Sequence, residues 1–168
     1  MKTYIAFLRA VNVGGTGKLP MAELKAMCLE LGFVDVTTYI ASGNLVLKTD
    51  CAAGEVQQKL EGRLQTYAGK PVGVIVHTPD SLGDILDGNP FIKEEPSKVL
   101  TILLERSPPA DVLDNLRGQK NEQVALGKNA IYAWYPDGMG RSKLKIPGSE
   151  SGTARNINTL RKMLSLAG

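Results

Sequence analysis

Between Thr3 and His77 the spacing of the apolar residues changes in a fixed order, and that order constrains the fold more than any other feature. Thr3 to Leu8 is a near-continuous apolar run, the pattern of a strand covered by another layer. Met21, Leu24, Cys28 and Leu31 then recur at three- and four-residue steps, a helix opened by Pro20 and ended by Gly32. Val36 to Ile40 is β-branched and aromatic, and Ser42-Gly43-Asn44 turns it back into Leu45-Val46-Leu47 as a hairpin. Val56, Leu60, Leu64 and Tyr67 mark a second helix closed near Gly69, and Val72 to Val76 is a fourth strand. The sequence therefore predicts βαββαβ, a ferredoxin-like unit within an α+β fold.

Thr78-Pro79-Asp80 caps a short helix through Leu82, Ile85 and Leu86 that stops at Gly88. The stretch after it, with Pro90, Pro96 and Lys93-Glu94-Glu95, is the plausible boundary. It gives a ferredoxin-like subdomain over 1–88, a connection over 89–98 and a second α+β subdomain over 99–168. In the second, Val99 to Leu104 reads as strand, and Ser107-Pro108-Pro109 opens a helix through Val112, Leu113 and Leu116 that Gly118 stops. Gln123 to Leu126 and Ala130 to Tyr135 form a hairpin about Gly127-Lys128-Asn129. A last helix opens at Thr153 and carries Ile157, Leu160, Met163 and Leu164 inside. This predicts βαββα, a unit without the final strand of the first.

At 43% hydrophobic and 22% charged residues, the 168-residue chain has enough apolar content to fold and too little charge asymmetry for disorder. No apolar run approaches the roughly 20 residues that span a bilayer, so no membrane partner is expected. Met1 to Arg9 reads as a strand rather than a signal peptide, which implies a cytoplasmic protein. One histidine, His77, and two scattered cysteines, Cys28 and Cys51, do not make a usual zinc set, and neither metal nor cofactor is expected. Charge is uneven along the chain. From Pro79 to Asp114 there are 3 Lys/Arg against 8 Asp/Glu, and from Pro136 to the end 6 against 2. The basic tail fits an anionic ligand, and a solvated surface without a partner fits as well.

Four segments could carry chemistry. Arg9 to Lys18 joins the first strand to the first helix, and Gly14, Gly15 and Gly17 let backbone N–H groups turn toward an anion beside Arg9, Asn12 and Lys18. It is not a P-loop, because Asn12 stands where that pattern needs glycine and Leu19 where it needs a hydroxyl. Ser42 and Asn44 flank the tight turn at Gly43, where a plain hairpin turn explains the residues too. Arg141, Ser142 and Lys143 follow Gly138 and Gly140 in a loop suited to phosphate or carboxylate. Arg155, Asn156 and Asn158 lie at the expected start of the last helix, where the macrodipole disfavours a cation unless an acid or a bound anion faces it.

These segments, with Asn89-Pro90-Phe91, resemble the family called domain of unknown function 1697. The resemblance rests on Phe7 to Gly15, Leu19-Pro20-Met21, Tyr39 to Asn44, Gly138 to Leu144 and Thr153 to Thr159, in order over nearly the whole chain. Ala10, where a glycine is expected, and Ile157, where an aromatic is expected, depart from it. The resemblance implies an α+β fold with a ferredoxin-like N-terminal part. It implies no established activity and transfers no catalytic residue.

The functional expectation is binding of an anionic ligand, such as a nucleotide, a phosphorylated metabolite or a nucleic-acid backbone, at a polar site between the two halves. Its residues are Arg9, Asn12, Gly14, Gly15, Lys18, Ser42, Asn44, Arg141, Ser142, Lys143, Arg155, Asn156 and Asn158. One alternative is an interaction or structural module whose polar motifs only pin loops. Another is a small-molecule enzyme on the same site, although no acid/base pair or activated nucleophile is visible. Tyr132 and Trp134 share a strand face but lack an RNP signature, so RNA binding is the weakest expectation.

Overall fold

The computed structural model describes residues 1–9, 19–40 and 43–168. Its contacts divide the chain into two units, 1–82 with 162–168, and 83–161. The described residues form two four-stranded antiparallel sheets and four α-helices, an α+β protein.

In the first unit, β1 (Lys2–Leu8), α1 (Met21–Glu30), β2 (Val34–Tyr39), β3 (Asn44–Thr49), α2 (Ala53–Ala68) and β4 (Val74–His77) build a sheet in the order β2-β3-β1-β4. Alternation along β1 sends Tyr4, Ala6 and Leu8 to one face, where Leu24, Met27 and Cys28 of α1 and Val56, Leu60 and Leu64 of α2 pack on them. Burial holds the Cys28 thiol neutral, its pKa pushed up to about 12. Each helix stops where expected. Gly32 takes φ +90 while Phe33 N–H returns to the Cys28 carbonyl, and Gly69 ends α2 in the left-handed conformation.

The other face of β1 carries Ile5 and Phe7, paired with His77 and Ile75 of β4. His77 is buried and Nδ1 lies 2.9 Å from Ser81 Oγ, while Nε2 has no hydrogen-bond partner among the described residues. Thr78 and Ser81 exchange side-chain-to-backbone bonds at the start of α3 (Pro79–Asp87), a reciprocal cap.

The second unit contains β5 (Val99–Leu103), β6 (Gln123–Gly127), β7 (Ala130–Trp134) and β8 (Thr153–Asn156), in the order β6-β7-β5-β8, and it ends at Arg161 within α4 (Ile157–Ala167). Two expectations are corrected here. The helix expected from Ser107 to Leu116 is a 3₁₀ turn over Val112–Asn115. Pro108 and Pro109 carry no N–H, and the chain leaves the turn extended at Leu116 to pair with a later segment. The helix expected to open at Thr153 begins only at Ile157, because Thr153 to Asn156 is a fourth strand with inward Thr153 and Arg155. Asn156, not Thr153, caps α4, accepting from Thr159 N–H at 2.8 Å. The unit is therefore not βαββα.

Tyr132 fixes the face of this sheet opposite the loops. It is buried against Gly127, where an added Cβ would lie 2.6 Å from its ring, and it donates to the Ile85 carbonyl at 2.6 Å. Trp134 stacks on Phe91, with ring centroids 6.1 Å apart.

A pH dependence follows from His77, whose pKa is lowered by burial. The folded state then binds fewer protons than the unfolded chain. Stability is complete above the unfolded value of about 6.5 and falls as pH drops below it. Denaturant titrations should show wild type losing stability between about pH 7.5 and pH 5, with that slope missing in His77→Gln. Equal slopes would contradict the assignment.

Candidate functional site

The faces of the second sheet differ in what covers them. Leu100 and Ile102 of β5 and Ile131 and Ala133 of β7 look toward the loops over 105–122 and 136–152. Val112, Leu116, Met139, Leu144 and Ile146 from those loops pack on this face. No helix does so among the described residues, so the loops must hold one another.

They do so through a ladder of polar contacts. Arg117 and Lys145 exchange backbone hydrogen bonds of 3.1 and 2.7 Å, an isolated antiparallel bridge. Gly118 follows at φ +68, where a Cβ would fall 2.1 Å from the Lys143 carbonyl oxygen, so no side chain fits. Glu122 then accepts from Lys120 N–H at 2.6 Å and from the Ser142 hydroxyl, and Ser142 Oγ accepts from Leu144 N–H at 3.2 Å. The Ser142 hydroxyl, followed by the Lys120 N–H, holds the Glu122 carboxyl below its usual range.

Beside the bridge is a cavity of about 730 Å³. Leu100, Ile102 and Ala154 line it from the strands, Tyr135, Leu144, Ile146 and Pro147 add apolar wall, and Arg117, Lys145, Asn115, Ser149 and Glu150 supply polar groups. Directly opposed residues of an antiparallel pair project to the same side, with Cβ atoms about 5 Å apart. Arg117 and Lys145 thus present two cations together at the cavity. Neither forms an ion pair among the described residues. Glu150 also lines the cavity, one negative charge against two positive. Burial, with the nearby Glu122 charge, raises the pKa of Tyr135 and keeps its phenol neutral.

The residues singled out in the sequence occupy several environments. Asn12, Gly14, Gly15, Lys18 and Ser42 lie outside the described residues. Arg9 follows β1, bonds through its N–H to the Gly73 carbonyl at 2.9 Å and lays its guanidinium over Gly73. Asn44 is fully buried and donates to the Tyr39 carbonyl at 3.0 Å, bracing the hairpin turn. Arg141 and Lys143 are exposed on the loop that Ser142 pins, and Asn158 is exposed on α4. Arg155 pairs with Thr101 and is buried on the face away from those loops, donating to Thr153 Oγ1 at 2.6 Å and the Ala154 carbonyl at 2.9 Å. Burial lowers its pKa to about 10. Within this unit, then, Arg155 and the loop over 141–143 are on opposite sides of the sheet.

Arg117, Lys145 and Tyr135 were not singled out. The alternation of Leu144 and Ile146 with Lys143 and Lys145 was the available signal, and reading 107–116 as a helix hid the partner of that ribbon.

Fold and site define an α+β protein with a basic, apolar-floored cleft in its second unit, and no described helix is long and apolar enough to cross a membrane. The chain belongs to the family described as protein of unknown function (DUF1697), whose profile matches residues 1–132. It is similar in structure to the conserved bacterial protein SP0830 from Streptococcus pneumoniae, at 22% identity and a TM-score of 0.83 over 99% of this chain and 98% of that one. No curated protein matches the chain.

The loop ladder has a measurable consequence. A carboxylate held below its unfolded pKa stabilises the fold above that value and loses the contribution as pH falls through the folded one. Ser142→Ala should be less stable than wild type at neutral pH, and the gap should narrow on acidification below the ordinary carboxylate range. A gap independent of pH would show that Ser142 does not act through Glu122.

Proposed function

We propose that the protein binds a small anionic ligand, carrying phosphate or carboxylate on an apolar body, in the cleft of the second unit. The observation that carries this reading is the Arg117–Lys145 pair. Like charges placed directly opposite on a ribbon destabilise it, and an anion seated between them turns that repulsion into attraction. The apolar floor of Leu100, Ile102 and Ala154 favours a ligand with a hydrophobic part over a bare ion.

The bonding of Asn44, Ser142 and Asn156 within the fold supports a bracing role for these three side chains. The strand order β2-β3-β1-β4, recurring by rank as β6-β7-β5-β8, supports reading both units as ferredoxin-like, with 3₁₀ turns in place of helices in the second. The free thiols of Cys28 and Cys51 fit the cytoplasmic residence that belongs to the same proposal.

Calorimetry with phenyl phosphate and inorganic phosphate tests the cleft. Phenyl phosphate should bind more tightly, and Arg117→Ala or Lys145→Ala should weaken it about tenfold, the loss of one charge-assisted hydrogen bond. Unchanged binding in both variants would refute the site. Loss in Arg9→Glu alone would return it to the loop after β1.

A further inference from the structure

Tyr4, Tyr132 and Tyr135 are the buried tyrosines among the described residues, and the first two hydroxyls are bonded. Tyr4 donates to the Cys51 carbonyl at 2.8 Å and Tyr132 to the Ile85 carbonyl at 2.6 Å. Such a partner is the rule for a buried phenol, because its O–H gives up water on folding. Tyr135 is the exception. Only 9% of its surface is exposed, yet its hydroxyl has no hydrogen-bond partner among the described residues. Its main chain is satisfied, with N–H given to the Lys98 carbonyl and C=O taken by Gly138 N–H.

Nor is that hydroxyl sealed in the core, as His77 Nε2, Asn89 Nδ2 and Thr101 Oγ1 are. Tyr135 follows β7 on the loop-covered face, where it packs with Ile102 and Ile146. The open space that it lines there is the cleft. A phenol nine-tenths buried is thus held at the cleft wall with its proton unused.

The charges nearby divide the cleft into two kinds of place. Arg117 and Lys145 gather negative charge at the bridge. Around Tyr135 the sign is opposite. Burial, and after it the charge of Glu122, raises the pKa of the phenol, so it remains a neutral donor. Glu122 is fixed in place by Lys120 N–H and the Ser142 hydroxyl. An anionic oxygen brought to Tyr135 would be repelled by that carboxylate, whereas an uncharged acceptor would not.

We propose that Tyr135 is a specificity-determining residue of the cleft, its hydroxyl donating to an uncharged carbonyl oxygen on the body of a ligand whose anion sits at Arg117 and Lys145. The inference rests on the anion-binding reading of the cleft and adds a second point of recognition. A carbonyl fits better than a hydroxyl, because it accepts without bringing a donor of its own against the apolar wall of Leu144, Ile146 and Pro147. The ligand class is a phosphate or carboxylate whose apolar body carries a ketone, ester or amide carbonyl.

Calorimetry with meta- and para-acetylphenyl phosphate, beside their ethyl counterparts and phenyl phosphate, tests this. One acetyl isomer should bind wild type about fivefold more tightly than its ethyl counterpart, the yield of one added hydrogen bond. Tyr135→Phe should remove that gain and leave phenyl phosphate binding unchanged. No gain in either isomer, or a gain that persists in Tyr135→Phe, overturns the proposal while phenyl phosphate binding stands. Phenyl phosphate weakened by Tyr135→Phe would place the hydroxyl on the anion and overturn it too. Failure of every aryl phosphate to bind wild type removes the anion-binding reading, and this inference with it. Thermal unfolding adds a readout without ligand. Tyr135→Phe should unfold no lower than wild type, whereas Tyr132→Phe, which loses its bond to Ile85, should unfold lower. A drop in Tyr135→Phe equal to that in Tyr132→Phe would show the hydroxyl bonded within the fold and overturn the proposal.

Discussion

The exchange of backbone hydrogen bonds between Arg117 and Lys145 is the constraint on which the second unit's open face depends. In the first unit the corresponding layer is α1 and α2, whose amphipathic stripes bury themselves on β1. The second unit has only 3₁₀ turns there, and short turns bury little apolar surface of their own. Each backbone bond contributes about 1 kcal/mol net, too little alone to order two long loops. The bridge is sufficient because its neighbours repeat the constraint. Gly118 fits against the Lys143 carbonyl, Glu122 gathers Lys120 and Ser142, and Leu144 and Ile146 reach the sheet between them.

That arrangement also creates the cleft. A helix would have covered Leu100 and Ile102 along its length, whereas crossing loops leave a gap over the strands. The bridge then sets two cations at the rim because paired residues must project together. The surface charge and the hole beneath it are consequences of one backbone contact.

Arg155 lies one residue from Ala154 and is chemically remote from the cleft, since strand alternation sends the two to opposite faces. Its desolvation lowers its pKa, and Thr153 and the Ala154 carbonyl offset part of the cost. The reading of Thr153 to Thr159 failed on this point. Thr153 and Asn156 both have capping chemistry, and Arg155, Asn158 and Thr159 satisfy helical spacing as well as the inward turn of a strand, so only pairing with β5 decides. The first unit was legible because long amphipathic stripes at Leu24–Cys28 and Val56–Leu64 admit one period. In the second, the apolar spacing of Val112, Leu113 and Leu116 mimics a helix that Pro108 and Pro109 do not support. Lys145 and Arg117 meet only through a contact that no local pattern encodes.

The most direct test is a crystal structure of the protein with phenyl phosphate. The phosphate should lie between the Arg117 guanidinium and the Lys145 ammonium, with the ring against Ile102 and Tyr135. Phosphate bound away from both cations, with the cleft unchanged, would contradict the account.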